Sequence, residues 1–278
     1  MNNNKVMIVD LTIHVWDAHK VDKAVTREVL LKHNAVKDAG RFSKKLLNDD
    51  ATKPIAASAA TIRAFHTKLS SPWRNDGARI LSTAHLDEYI TGLRERKQAF
   101  DALADDFAIQ YPRHINEARI THKGLFNQGD YPDPSVIRQK FGIETTWLPM
   151  PESTDFRLSI GDEVLADMQA SMERAKEQAV QLARNDIYKR LAEKLQVVSQ
   201  QLGNEERKVY DSTFTNLAEV CRLIPGLNIT QDPEIEKLRV ICLEHVVKFK
   251  PEEIRNNPDK RRHTANAADE ILKAMGLL

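Results

Sequence analysis

Apolar side chains recur every three or four residues in the second half of the chain, and this spacing constrains the fold more than any other feature. The pattern places those side chains on one face of an α-helix. A continuous helix of about 40 residues would be about 60 Å long at a rise of about 1.5 Å per residue. The apolar face then needs cover from a returning helix or from a second chain. It consists of Leu165, Met168, Met172, Leu182, Leu191, Leu195, Val198 and Leu202.

A second helix is predicted to run back along the first. Gly203 and Asn204 are residues that commonly end a helix. Apolar residues at helical spacing continue from Tyr210 to Ile224, before the sequence PGLN. The simplest interpretation is a long antiparallel helical hairpin in residues 161–278. A polar loop is predicted at 250–263, with further helices on either side of it, at 231–248 and up to Met275.

The two arms of this hairpin differ in predicted length. The first arm outlasts the second by about 20 residues, more than errors in the predicted helix boundaries account for. That excess needs a partner unless another helix of the chain covers it. The sequence therefore predicts a homo-oligomer in which the apolar face is the seam between copies.

Residues 1–160 are predicted to form a helical region with a small sheet. Strands are expected near 5–16, 143–149 and 155–160, where apolar residues alternate or β-branched and aromatic residues are frequent. Helices are expected from Pro54 to about residue 70 and from Thr83 to Tyr111, with Pro112 kinking or dividing the second. The predicted fold class is mainly α with a small antiparallel β element, an α+β fold.

Composition favours helices and limits the possible partners. The chain has 278 residues, of which 41% are hydrophobic but only 6% aromatic, and its formal net charge is +1. This near cancellation of charge argues against a protein that coats nucleic acid by charge alone. The N-terminal apolar run is broken by Asp10, so it is too short for a signal peptide or a membrane span. We expect a soluble cytoplasmic protein with no membrane partner.

The sequence contains no motif for a known chemistry. It lacks the GxxxxGK[ST] phosphate loop, the GxGxxG dinucleotide unit and the GxSxG nucleophile elbow. We predict no catalytic residue, no metal and no cofactor, although an enzyme with a nucleotide or metal site assembled from distant residues stays an alternative. Cys221 and Cys242 are expected to be buried thiols. Two histidine groups lack metal-site spacing, namely His14, Asp17 and His19, and His114, Glu117 and His122.

Two basic segments are candidates for binding. Trp73, Arg74 and Arg79 lie in a glycine-containing loop, where an aromatic ring and guanidinium groups can hold a nucleotide or phosphate. The competing interpretation is a loop pinned into a groove by Trp73. The second segment, with Lys260, Arg261 and Arg262, can contact phosphates but lacks interleaved aromatic residues.

The phrases HTKLSSPWRNDGARIL, YITGLRERKQAFDALADDFAIQYP, LFNQGDYPDP and STDFRLSIGDE resemble an uncharacterised family of tailed-phage and prophage proteins. The resemblance covers most of the chain. It implies an accessory protein of a phage genome rather than a capsid or tail component. Some members lie near genes for AAA+ and metal-ion-adhesion-site proteins, which implies a complex. The family has no established activity, so the resemblance assigns no catalytic residue.

The expected function is therefore macromolecular binding rather than catalysis. The favoured hypothesis is a self-assembling phage protein that acts in the cytoplasm of the infected bacterial cell. It would bind a host or phage protein, either to modulate a host system such as defence or to scaffold a phage complex. Nucleic-acid binding through the two basic segments is the first alternative, and a dispersed enzyme site is the second.

Overall fold

The computed structural model describes residues 5–74, 77–152, 162–204 and 206–277. As predicted, the fold is mainly helical with a small antiparallel sheet. The helices are α1 (Lys23–Lys32), α2 (Asp49–Leu69), α3 (Leu86–His122), α4 (Asp162–Leu202), α5 (Asp211–Leu227), α6 (Pro233–Ile241), α7 (Pro251–Asn256) and α8 (Pro258–Ala274). The strands are β1 (Val6–His14), β2 (His19–Val21), β3 (Ser43–Lys45), β4 (Ser71–Pro72), β5 (Arg79–Ser82) and β6 (Gly142–Pro149).

The chain divides into two compact units. Unit 1 contains the described residues of Met1–Asp10, Thr67–Tyr89 and Thr146–Leu278, and unit 2 contains Leu11–His66 and Ile90–Thr145. These bounds differ from the predicted regions 1–160 and 161–278. The reason is a shared core, in which side chains of β1 and β5 pack with a residue of α4: Val6, Ile8, Trp73, Ile80, Met150 and Ala179 form one buried cluster.

The helical hairpin of unit 1 is present where the sequence predicts it. The α4 helix ends at Leu202, immediately before Gly203 and Asn204. Two contacts fix the direction of α5: Thr213 at its start donates a hydrogen bond to Gln201 (2.7 Å), and Asp232 beyond its end lies 3.3 Å from Arg184. The two helices are therefore antiparallel.

A third helix completes this bundle. The α8 helix packs along α4, with Arg261 near its start contacting Leu202 and with Ala274 at its end beside Tyr188. Together α5 and α8 bury the second half of the predicted apolar seam. By contrast, no residue of 162–178, the first turns of α4, is fully buried.

Two strand predictions near 5–16 and 143–149 agree with β1 and β6, and the third, at 155–160, lies outside the described residues. The main sheet has the order β4-β5-β1-β6. The sequence predicts a loop where the structure has a short hairpin, β4 and β5. The β4 strand pairs antiparallel with β5, with Ser71 opposite Ile80. The β5 strand also pairs antiparallel with β1, with Ile80 opposite Ile8. Strands of two and four residues are too short to show a reliable alternation of side chains.

Prolines account for two wrong helix predictions and decide one alternative. The α2 helix starts at Asp49 rather than at Pro54, and α3 continues through Pro112, so this proline does not divide it. Buried neighbours on both sides of Pro112, Tyr111 and Ile115, hold that helix together. The predicted loop at 250–263 is helical, because prolines at 251 and 258 occupy first helical positions, where they need no amide hydrogen.

Unit 2 is organised around α2 and α3. The guanidinium of Arg96 lies 3.9 Å from the ring centre of Phe65, and this ring covers Gly92. A small two-stranded sheet, β2 with β3, pairs His19 with Lys45. An aromatic cluster forms part of the core: Trp16, Phe107, Tyr111 and Phe141 are joined by ring-to-ring contacts of 5.3–6.4 Å.

Candidate protein-binding surface

The structure places the first predicted binding group mainly in the interior of unit 1. Trp73 is buried in the core cluster, which agrees with the alternative of a loop pinned by this ring. Arg79 donates hydrogen bonds to the hydroxyl (2.8 Å) and carbonyl (2.6 Å) of Ser70. Burial lowers the pKa of its guanidinium, partly offset by Asp186. Of this group only Arg74 is exposed.

The second predicted group is also engaged in structure. Arg261 donates to four backbone carbonyls in the α4–α5 turn, including those of Gln201 and Leu202. Lys260 pairs with Glu253 of α7, whereas Arg262 is exposed. Guanidinium groups that already bind carbonyls have few donors left for phosphates. Of the six residues predicted to bind nucleic acid, only Arg74 and Arg262 are exposed.

The predicted oligomer seam separates into two parts. Leu191, Leu195, Val198 and Leu202 are at most 3% exposed within the single chain, so they belong to its own core. Leu165, Met168, Met172 and Leu182 are only half-buried. A seam between copies would therefore use the first part of α4.

The histidine and cysteine groups do not form a metal site in the described residues. No cluster of three or more His, Cys, Asp or Glu side chains there has the geometry to hold an ion. His14 lies 3.6 Å from Glu144, and His114 lies 3.4 Å from Glu117. Cys221 and Cys242 are buried free thiols. None of the helices in the described ranges has the combination of length and hydrophobicity that a membrane span requires.

A different part of unit 2, the helix α1, has the features of a binding surface. Its N-terminus is capped by Asp22, whose carboxylate accepts hydrogen bonds from the amides of Ala24 and Val25 at 3.0 and 3.1 Å. At the other end, Asn34 has a φ of 47°. The amides of Asn34 and Ala35 donate to the carbonyls of Leu31 and Leu30, as in a Schellman motif. Local sequence thus determines both ends of α1.

The segment around α1 is exceptional in its exposure. No residue from 19 to 43 is fully buried, although Ala18 and Lys44 on either side are. Five of the sixteen most exposed large hydrophobic side chains among the described residues lie in this segment. They are Val21, Val29, Leu31, Val36 and Phe42, and Leu31 and Val36 are 70% and 75% exposed. A short helix is marginal alone and usually depends on burying its apolar face.

A groove of about 620 Å³ runs along one face of this helix. Positions 23, 26, 27, 30 and 31 line it, which is the spacing of a single helical face. Its lining consists mainly of aliphatic and cationic side chains, and we refer to the aliphatic set as the floor and to the cationic set as the rim. The floor contains Val21, Leu30, Leu31 and Ala35, and the rim contains Lys23, Arg27 and Lys37.

The charge of the groove is uncompensated. Its lining includes no carboxylate, and Lys23, Arg27 and Lys37 form no ion pair with any described residue. The hydroxyl of Thr26 is already used, because it donates to the carbonyl of Asp22 (2.6 Å) and accepts from the amide of Phe42 (2.9 Å). The side chains of the groove therefore offer positive charge and apolar area.

The groove rests on a firmly held base. The ammonium of Lys44 contacts Asp130 at 2.7 Å, the carbonyl of Leu125 at 2.7 Å and Asp22 at 3.3 Å. Burial lowers the pKa of Lys44, but its hydrogen bonds with Asp130 and Asp22 outweigh this effect and raise it. Because Asp22 is also the cap of α1, this buried ion cluster fixes the start of the helix.

The sequence predicts the helix α1 but not the exposure of its apolar face. Helical spacing is clear in Val21, Val25, Val29 and Leu30, and it predicts the helix. It does not indicate what covers the apolar face of that helix. The neighbouring segment 33–43 has only two large hydrophobic residues, Val36 and Phe42, and three charged residues. It supplies little apolar material to cover α1.

Comparisons with models of known protein families, with curated proteins and with solved structures gave no match.

Proposed function

We propose that this protein acts without catalysis, by binding another protein through the exposed face of α1. The observation that carries the proposal is a capped helix whose groove remains open and whose cations are unpaired. Exposed apolar area of this kind commonly marks an interaction site in a folded protein. The buried Lys44 cluster adds support, since it presents the surface on a rigid base.

Self-assembly is the second part of the proposal. The first turns of α4 carry half-buried Leu165, Met168 and Met172 beside the more exposed Val164. The same stripe continues into side chains buried within the chain. A second copy that covers these turns would complete the burial of the predicted seam.

The sequence resemblance to a phage and prophage family supports a setting for this binding. The protein would act in the cytoplasm of an infected bacterial cell. There it would modulate a host system, including defence, or scaffold a phage complex. Its partner would be a host or phage protein.

Substitutions on α1 test partner binding. Leu30→Ser with Leu31→Ser removes the aliphatic floor but disturbs no fully buried side chain. Ile109→Ser with Ile120→Ser is a matched control on α3, since these side chains are 79% and 73% exposed in the same unit. Tagged proteins are purified from infected cells, and the proteins that accompany them are identified and quantified. We expect the α1 variant alone to lose its specific partner, and equal recovery by all forms would contradict the proposal.

Light scattering tests self-assembly separately. Leu165→Ser with Met172→Ser alters the stripe, and Val197→Ser is the control on the same helix at a side chain 42% exposed. We expect the natural chain and the control to form an oligomer that the stripe variant weakens. A strictly monomeric natural chain at micromolar concentration would refute the self-assembly part. Salt-dependent retention on DNA would favour nucleic-acid binding instead.

A further inference from the structure

The groove on α1 combines two kinds of surface in a fixed order. Its aliphatic floor lies along the helix. Of its three cations, Lys23 stands at the start of α1, Arg27 stands one turn further on, and Lys37 lies in the segment that follows the helix. We propose that this groove binds an acidic amphipathic α-helix of a partner protein. The apolar stripe of that helix would lie on Leu30 and Leu31, and its carboxylates would pair with Lys23, Arg27 and Lys37. This inference rests on the proposed protein-binding function.

The spacing of the cations fits a helical ligand. Lys23 and Arg27 are four residues apart on α1, so they stand one turn apart on the same face. Carboxylates four residues apart on a ligand helix repeat at the same distance and can meet both cations together. Lys37, which follows the C-terminal cap of α1, offers a third contact in the same groove.

The groove also selects against other occupants. Its lining has no aromatic side chain, so nucleic-acid bases have no ring on which to stack. Phosphates alone would leave Leu30, Leu31 and Ala35 uncovered. A basic peptide would face like charges, because no carboxylate is present in the lining. An acidic helix with an apolar stripe satisfies both the floor and the rim.

The first experiment measures binding of two designed peptides to the full-length protein by fluorescence anisotropy. Both peptides are helices of about 18 residues, or five turns, with leucines at i, i+3, i+4 and i+7. One carries flanking glutamates, and the other carries glutamines at the same positions. We expect the acidic peptide to bind about tenfold more tightly, because three exposed ion pairs together are worth about 1.4 kcal/mol. Its advantage should decrease as salt is raised.

Variants of the protein then assign the contacts. Lys23→Gln, Arg27→Gln and Lys37→Gln together should remove the preference for the acidic peptide while leaving the weaker binding of the neutral one. Leu30→Ser with Leu31→Ser should weaken both peptides. Lys32→Gln, on the same helix but outside the lining of the groove, is the control and should retain the preference.

The outcomes separate this inference from the proposed function. Equal binding of the two peptides, or no binding of either, overturns the acidic-helix inference. If the variant with both leucines replaced also loses its partner in infected cells, then α1 binds a protein, but that protein does not present an acidic helix. Displacement of the acidic peptide by a DNA oligonucleotide of equal charge would identify a nucleic acid as the occupant and would also overturn the inference.

Discussion

Arg261 donates a hydrogen bond to the backbone carbonyl of Leu202, the last residue of α4, across 59 positions of the sequence. The same guanidinium reaches the carbonyls of Gln201, Asn204 and Arg207. Arg255 supports the same turn through the carbonyl of Val209 (3.1 Å). A residue that looked like part of a basic binding patch is therefore the cap of the longest helix. Carbonyls at the end of a helix lack partners within it, and a cation there also complements the helix dipole.

Replacing Arg261 should destabilise the fold. We expect Arg261→Ala to lower the free energy of unfolding by about 2 kcal/mol, because the partly buried hydrogen bonds to the carbonyls of Gln201 and Leu202 lose their charged donor. Arg262→Ala is the matched control on the next, exposed position and should change it by less than about 0.5 kcal/mol. Urea unfolding followed by circular dichroism at 222 nm measures both. Equal effects of the two substitutions would show that Arg261 is not the cap.

Gly226 lies against the ring of His85, and adding a methyl group should disrupt this contact. A Cβ on Gly226 would stand within 3.0 Å of three ring atoms of the buried His85. We expect Gly226→Ala to cost about 1–3 kcal/mol through overpacking. Gly124→Ala is the control, since nothing lies within 4 Å of its added Cβ. Thermal unfolding should show a lower midpoint only for the first, and an unchanged midpoint would refute the close packing.

The buried ammonium of Lys44 should be needed for the stability of unit 2. Lys44→Met leaves Asp130, only 11% exposed, with Lys20 at 3.0 Å as its remaining cationic partner. We expect a loss of about 3 kcal/mol, at the low end for a broken buried pair because Lys20 still compensates part of the charge. Lys45→Met removes the neighbouring pair with Asp49 and should change stability far less, because both side chains of that pair are exposed to solvent. Denaturant unfolding compares the two variants.

Glu219 should contribute to the loss of stability in acid. Hydrogen bonds from Arg222 and Lys68 lower the pKa of Glu219 from 4.5 to about 2. Burial opposes this shift, but its effect is smaller than that of Arg222. The unfolded chain binds this proton more readily, so the contribution is present above pH 4.5 and is lost as the pH falls towards 2. Glu219→Gln should flatten the stability curve over that range, and Glu193→Gln, at an exposed site, should leave its shape unchanged. Urea midpoints measured at several pH values test this. If the natural chain and Glu219→Gln lose stability in parallel as the pH falls, the prediction is wrong.

The stability of α1 should be local, because none of its residues is fully buried. Asn34 has a φ of 47°, a left-handed conformation that asparagine tolerates better than alanine because its amide group can form local hydrogen bonds. We expect Asn34→Ala to lower the stability of α1 by about 1 kcal/mol. Asn34→Gly, which adopts this conformation freely, is the matched comparison. Hydrogen exchange should show faster exchange of α1 amides in the alanine variant only. Global unfolding should change little, and a matching loss of global stability would contradict a local helix.

The long helices could be predicted from the sequence because their apolar spacing reflects burial within the chain. Leu191, Leu195 and Val198 are fully buried, as the stripe predicts, and α4 stops where Gly203 begins the turn. The same spacing does not reveal which partner covers each part. The half-buried Leu165 and the buried Leu195 belong to one stripe, and only the positions of α5 and α8 distinguish them.

The candidate surface was less accessible to prediction for a related reason. The valines and leucines of α1 have ordinary helical spacing, so the sequence predicts a helix whether its apolar face is covered or open. Arg79 and Arg261 show the reverse problem. Their guanidinium groups bind backbone carbonyls that folding brings close, nine positions away for Arg79 and 59 for Arg261, and no local pattern reveals these contacts.

The cap of α4 has a consequence for synthesis of the protein. When translation has passed Leu227, both antiparallel arms exist, but Arg255 and Arg261 have not yet been added. The face of α4 that packs against α8 then remains without its final neighbour on the growing chain. Maturation of this bundle must wait until α8 has been synthesised, and a chain that lacks α8 would be a natural substrate for chaperones and proteases.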